Sequence, residues 1–86
     1  MTIAIRKLGD TLLETTIDDD VVVMRLADGS MFEMQHTARE IWALIDGNRT
    51  RDAIVAELEQ RHGTQPAIAA DTDAFLGELR NAGLIG

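Results

Sequence analysis

The chain has two histidines, His36 and His62, and no cysteine. Imidazole is the one side chain whose unperturbed charge changes near neutral pH, so these two positions are the first candidates for chemistry. Neither has a partner at the i,i+4 spacing by which a helix presents two donors to a metal. His36 therefore reads as part of a strand–helix loop, and His62 as the border of a helix's apolar face. Asp18-Asp19-Asp20 lacks the alternating oxygen donors and the glycine of a calcium loop, and reads as a solvated turn. Asp71, Asp73 and Glu78 would be the carboxylates for acid–base work. No Gly-rich phosphate loop, Ser-His-Asp set or other nucleophile accompanies them, so they read as a solvated helix face. Trp42 could stack on a ligand, but its spacing places it on an apolar helical stripe, hence in the core. The missing cysteines remove disulfides, thiolate metal sites and cysteine nucleophiles. No catalysis, no metal and no cofactor are expected.

The 86 residues include 8 basic and 15 acidic side chains, giving a net charge of −7, and 45% of the chain is apolar. That length favours one domain with a single small core. The apolar share argues against disorder. The acidity weighs against nucleic acid, because neutralising phosphates needs clustered Lys and Arg. No apolar run approaches the roughly 20 residues that span a bilayer. The opening MTIAIRKLGD lacks the order of a secretory signal. A soluble cytoplasmic protein without membrane partners is expected, with residues 1–10 as an N-terminal extension free to be flexible and residues 11–86 as the domain.

The elements that must position any site divide near Gln35. Thr11 to Ile17 (TLLETTI) reads as a strand, broken by the three aspartates. Val21 to Leu26 (VVVMRL) is the clearest strand, since successive valines suit a pleated surface. Asp28-Gly29 favours a tight turn, which returns Ser30–Met34 antiparallel. Beyond Gln35 the apolar spacing becomes helical. Thr37-Ala38-Arg39-Glu40 reads as a capping box opening helix one, with Ala38, Ile41, Trp42 and Ile45 inward and Gly47 as its stop. Thr50 caps helix two, whose inward face is Ile54, Val55 and Leu58, and Gly63 ends it. Pro66 opens helix three, whose stripe is Ile68, Thr72, Phe75, Leu76 and Leu79, and Gly83 ends it. Leu84 and Ile85 are expected to fold back onto the core. Strands followed by helices give an α+β domain: a three-stranded antiparallel sheet and then three helices.

The stretch VVVMRLADGSMFEMQHTAREIWALIDGNRTRDAIVAELEQRHG resembles the PqqD-like family, or RiPP recognition elements. The resemblance rests on Thr37, Ala38, Ile41, Trp42, Leu44, Ile45, Asp46 and Gly47, on Arg49-Thr50, and on the closing Asp71, Phe75, Leu76, Leu79, Gly83 and Leu84. It covers residues 11–86 and implies a winged helix-turn-helix-like fold. It also implies a peptide chaperone that binds the leader of a ribosomally made precursor and presents it to a modifying enzyme. That enzyme would be a radical SAM protein, a cyclase or a leader protease, in pyrroloquinoline quinone, lasso-peptide or related biosynthesis.

A peptide can add to an exposed sheet edge, where free N–H and C=O groups supply affinity and neighbouring pockets supply selectivity. Val21–Leu26 must be central, so Ser30–Met34 is the open edge, and a groove is expected between it and helix three. The expected contacts are Ser30, Met31, Phe32, Glu33 and Met34 on the strand, and Asp73, Ala74, Leu76, Gly77 and Arg80 on the helix. Gly77 in mid-helix suggests close backbone approach or plain tolerance. Two rivals differ in kind. A winged-helix DNA-binding regulator would use helix three as its reader, yet Asp71, Asp73 and Glu78 against Arg80 alone make that helix repel phosphate. A structural dimerisation subunit would pair the exposed edge with a second copy. A monomer or weak homodimer is expected.

Overall fold

A computed structural model of the chain describes residues 4–86. Three strands, β1 (Leu12–Ile17), β2 (Asp20–Arg25) and β3 (Ser30–Met34), precede three helices, α1 (His36–Leu44), α2 (Arg51–His62) and α3 (Pro66–Asn81). The sheet is antiparallel in the order β1-β2-β3. The α+β order and the central place of β2 are as the patterning indicates. Alternation along β2 sends Val21 and Val23 into the core, with Val23 fully buried, and leaves Val22 and Met24 on the other face. That outer face carries Leu13, Met24 and Met31 in one cross-strand row.

Helices α1 and α3 close the inner face. Ile41, Trp42 and Leu44 of α1, Ile54 and Leu58 of α2, and Leu76 and Leu79 of α3 meet Val23 and Met34 in one core. Trp42 is buried there, with the Lys7 ammonium 4.5 Å from its ring centroid. Thr50 caps α2 by accepting the Ala53 N–H, and Pro66 opens α3. Gly63 and Gly83, both at positive φ, follow the ends of those helices.

Two local expectations change. The Thr37–Glu40 capping box is absent: Gln35 holds the N-cap position and no side chain caps α1. The side chains that could have done so are engaged elsewhere. The Gln35 amide donates to Asp20 and Glu33, and Glu40 lies 2.7 Å from His62 Nε2. His62 thus stands in an exposed polar pair while still bordering the apolar face, beside Leu58 and Ile68. Helix α1 stops at Leu44, before Gly47, because Ile45 turns extended and buries itself. The Asp46 carboxylate then accepts the N–H groups of Asn48 and Arg49, which shapes the α1–α2 loop and holds its pKa below the usual carboxylate value.

Residues 4–10 are tied to the domain rather than set apart from it. Ile5 is in the core and exchanges backbone bonds with Arg49 and Gly47. Lys7 bridges Ile85, the Leu8 N–H donates to Leu84, and the Gly86 N–H donates to Arg6. The C-terminal Leu84 and Ile85 fold back into the core as expected, and this strap is what they fold against. Residues 1–3 of the extension lie outside the described residues.

Candidate peptide-binding groove

The backbone of β3 can be phased from one bond in β1–β2. The Leu26 N–H donates to the Thr11 carbonyl at 2.9 Å. Antiparallel ladders alternate, so Met24 and Val22 also aim their backbone groups at β1. Val21, Val23 and Arg25 then aim theirs at β3, where they pair with Met34, Phe32 and Ser30. The Gly29 N–H, bonded to the Arg25 carbonyl, agrees with this phase. What remains is the N–H and C=O of Met31 and Glu33, which point out of the sheet. No strand among the described residues pairs with that edge.

Side chains follow the opposite parity. Phe32 and Met34 lean toward the helices, Met34 buried and Phe32 half-buried, while Met31 is 68% exposed on the outer face. Beside the free edge, Phe32, Glu33 and Met34 share a cavity of about 290 Å³ with Phe75, Glu78, Leu79 and Ala82 of α3 and its C-terminus. The four α3 positions are spaced i, i+3, i+4 and i+7, one face of a helix. The floor is apolar and the two glutamates stand at its rim. A second cavity of the same size, lined in part by Thr37, Ile68 and Asp71, opens one turn earlier along α3.

Arg25 sets the far end of the groove. Its inward place in the Val21, Val23, Arg25 alternation brings the guanidinium under the turn that leads into β3. There Nε donates to Asp28 Oδ1 at 3.0 Å, a second nitrogen donates to Ser30 Oγ at 3.4 Å, and a third donates to the Ala82 carbonyl. The guanidinium also lies 5.8 Å from the Phe32 ring centroid. The Asp28 carboxylate accepts the Ser30 N–H as well. The Arg25 hydrogen bonds, followed by those from Ser30, hold the Asp28 carboxyl far below the usual carboxylate range, and the Asp28 bond raises Arg25 in turn. One side chain therefore fixes the turn, the start of β3 and the end of α3.

The strand residues named from the sequence, Ser30 to Met34, all lie on this edge. The helix residues do not. At 100° per residue, Asp73, Gly77 and Arg80 stand about 140–200° around α3 from Phe75, on the far side. Asp73 is held there by Arg51 of α2, in a two-pronged pair of 2.7 and 2.8 Å that keeps its carboxyl below the usual value and raises Arg51. Leu76 is buried core, and Ala74 and Arg80 are exposed. Gly77 has no atom within 4 Å of where a Cβ would stand, so no close approach explains it. The sequence marks Phe75 and Leu79 as part of the apolar stripe, but not which flank of that stripe faces β3. Arg25 was marked by being the one charge at an inward position of a valine strand.

No curated protein matches this sequence. Among solved structures, TbiB1 in complex with the TbiA(beta) leader peptide superposes with a TM-score of 0.79 at 27% identity, covering 99% of this chain and 94% of that one. The model of the family described as coenzyme PQQ synthesis protein D (PqqD) matches residues 20–85, a span that contains β2, β3, all three helices and every residue of the groove, and the chain belongs to that family.

Proposed function

We propose that this protein is a non-catalytic chaperone for the leader segment of a ribosomally made precursor peptide. The leader adds to β3 as a fourth strand. Its backbone pairs with the outward N–H and C=O groups of Met31 and Glu33, and every second side chain enters the groove against Phe32, Phe75 and Leu79. The observation that carries this reading is the adjacency of an unpaired strand edge and an apolar groove on the same side of the sheet. The TbiB1 complex, a similar fold with a leader peptide bound, supports it. So does membership of the PqqD family. The held precursor is presented in the cytoplasm to a modifying enzyme: a radical SAM protein, a cyclase or a leader protease.

The groove contacts are Ser30, Met31, Phe32, Glu33 and Met34 with Phe75, Glu78, Leu79 and Ala82, the helix members replacing those expected from sequence. Titration of amide resonances with ten-residue leader segments of precursors encoded beside this protein tests the reading. Shifts concentrated on Ser30–Met34 and Phe75–Ala82 are expected. Binding that shifts β1 or α2 instead would overturn it.

A further inference from the structure

We infer that the groove selects basic strands: segments with apolar residues at every second position and Lys or Arg beside them. The inference rests on the strand-addition reading above and concerns which peptide the edge accepts. Every charged group that lines the groove is acidic. Glu33 projects from the free edge, and Glu78 stands across from it on α3. Among the described residues no ion pair engages Glu78, and the only partner of Glu33 is the neutral amide of Gln35, which also takes Asp20. Asp71 adds a third carboxylate about two helical turns before Glu78 along the same flank. The basic groups that could offset them are committed or distant. Arg25, at the groove's end, is held by Asp28 and the Ala82 carbonyl, and Arg80 is on the opposite face of α3.

The parity of the edge assigns places. In an added strand, the residue opposite Glu33 points to the outer face, where a Lys or Arg meets that carboxylate. Its neighbours point inward, to the apolar floor. A long basic side chain from the inner row reaches Glu78 at the rim while its methylenes lie on Phe75. An acidic strand in the same register would set like charges opposite each other, which costs affinity.

A phage-displayed library of ten-residue segments, panned on the full chain, tests this. The wild type is expected to enrich Lys and Arg flanking Leu, Phe or Met. The Glu33→Lys/Glu78→Lys double variant is expected to enrich Asp and Glu at the same places. A synthetic copy of the best wild-type segment should lose about tenfold in affinity when its Lys or Arg is changed to Glu, and bind more weakly as salt is raised. The same apolar anchors without charge preference, or the same preference on both proteins, would overturn the inference and leave strand addition standing. No enriched segment, or winners that bind Met31→Pro as well as wild type, would overturn strand addition itself.

Discussion

The sheet has two edges, and they differ in what lies beside them. At β3, Phe32 and Met34 face the helices and α3 runs alongside, so an added strand would gain backbone bonds and a floor for its side chains. At β1, the outward backbone groups belong to Leu12, Glu14 and Thr16 by the same phasing. Glu14 and Thr16 point to the core side of the sheet yet are exposed, and the helix side chains that share a cavity with Thr16 are mainly charged, Arg39 and Glu40 of α1 and Arg61 of α2, rather than an apolar floor. Both edges offer hydrogen bonds. Since a backbone bond traded against water contributes only about 1 kcal/mol, the apolar wall is what should separate a binding edge from a bare one.

The largest effect should come from removing that wall. Phe32→Ala with Phe75→Ala should weaken leader binding about 30-fold or more, the scale of losing an interface hot spot of ~2 kcal/mol. Leu13→Ala with Ile17→Ala, two side chains each 57% exposed on β1, should change affinity less than twofold. Calorimetric titration of both double variants with one leader segment measures the contrast. Equal losses would mean that the peptide does not choose between the edges by their walls.

A smaller effect isolates the backbone. Met31→Pro deletes an N–H that faces outward and leaves the β2–β3 bonds intact, as proline at a sheet edge allows. Affinity should fall about five- to tenfold with little change in melting temperature. Thr16→Pro performs the same deletion at the β1 edge and should leave binding unchanged. If the two prolines act alike, the peptide is not adding to β3.

The contrast between the edges also explains what could be read from the chain beforehand. Val21 to Met34 fixes the sheet because alternation has a period of two, and a slip by one residue would expose Val21 and Val23. The open β3 edge follows from that order alone. The helix side of the groove does not, because a stripe of period 3.6 names the face that is buried and leaves its two flanks equivalent. Asp73 and Arg80 lie beyond one flank and Glu78 beyond the other, and only the position of α3 against β3 decides between them. Long-range choices escaped for the same reason. Thr37 and Glu40 form a local capping pattern, but Glu40 meets His62, 22 residues away, and Ile5 reaches the core through a strap that nothing in MTIAIRKLGD marks.

Acid should weaken the groove side through Arg25. Asp28, Asp46 and Asp73 all have carboxyl pKa values lowered by folding from the ordinary 3.8. Folding therefore gains from their charged forms above that value, and the gain is lost as pH falls through the lower, folded-state values. The melting temperature should decline below about pH 4, less steeply in high salt because all three groups are solvent-exposed. Asp28→Asn should remove the part of the decline that belongs to the β2–β3 turn, and with it some leader affinity, since Arg25 would hold Ala82 and Ser30 less firmly. An unchanged pH profile for Asp28→Asn would show that this pair contributes nothing to the groove's end.

The smallest effect on binding should be at Gly77, and it separates the two faces of α3. Glycine inside a helix costs roughly 0.5–1 kcal/mol relative to alanine, and space around Gly77 is open, so a methyl group there meets nothing. Gly77→Ala should stabilise the domain by about that amount, raising the melting temperature by a few degrees. Leader affinity should stay within twofold, because position 77 stands on the far face of α3 from Phe75 and Leu79. A large loss of affinity in the stabilised variant would instead place the peptide, or a further partner, against the face that carries Asp73, Gly77 and Arg80, and the groove beside β3 would cease to be the binding site.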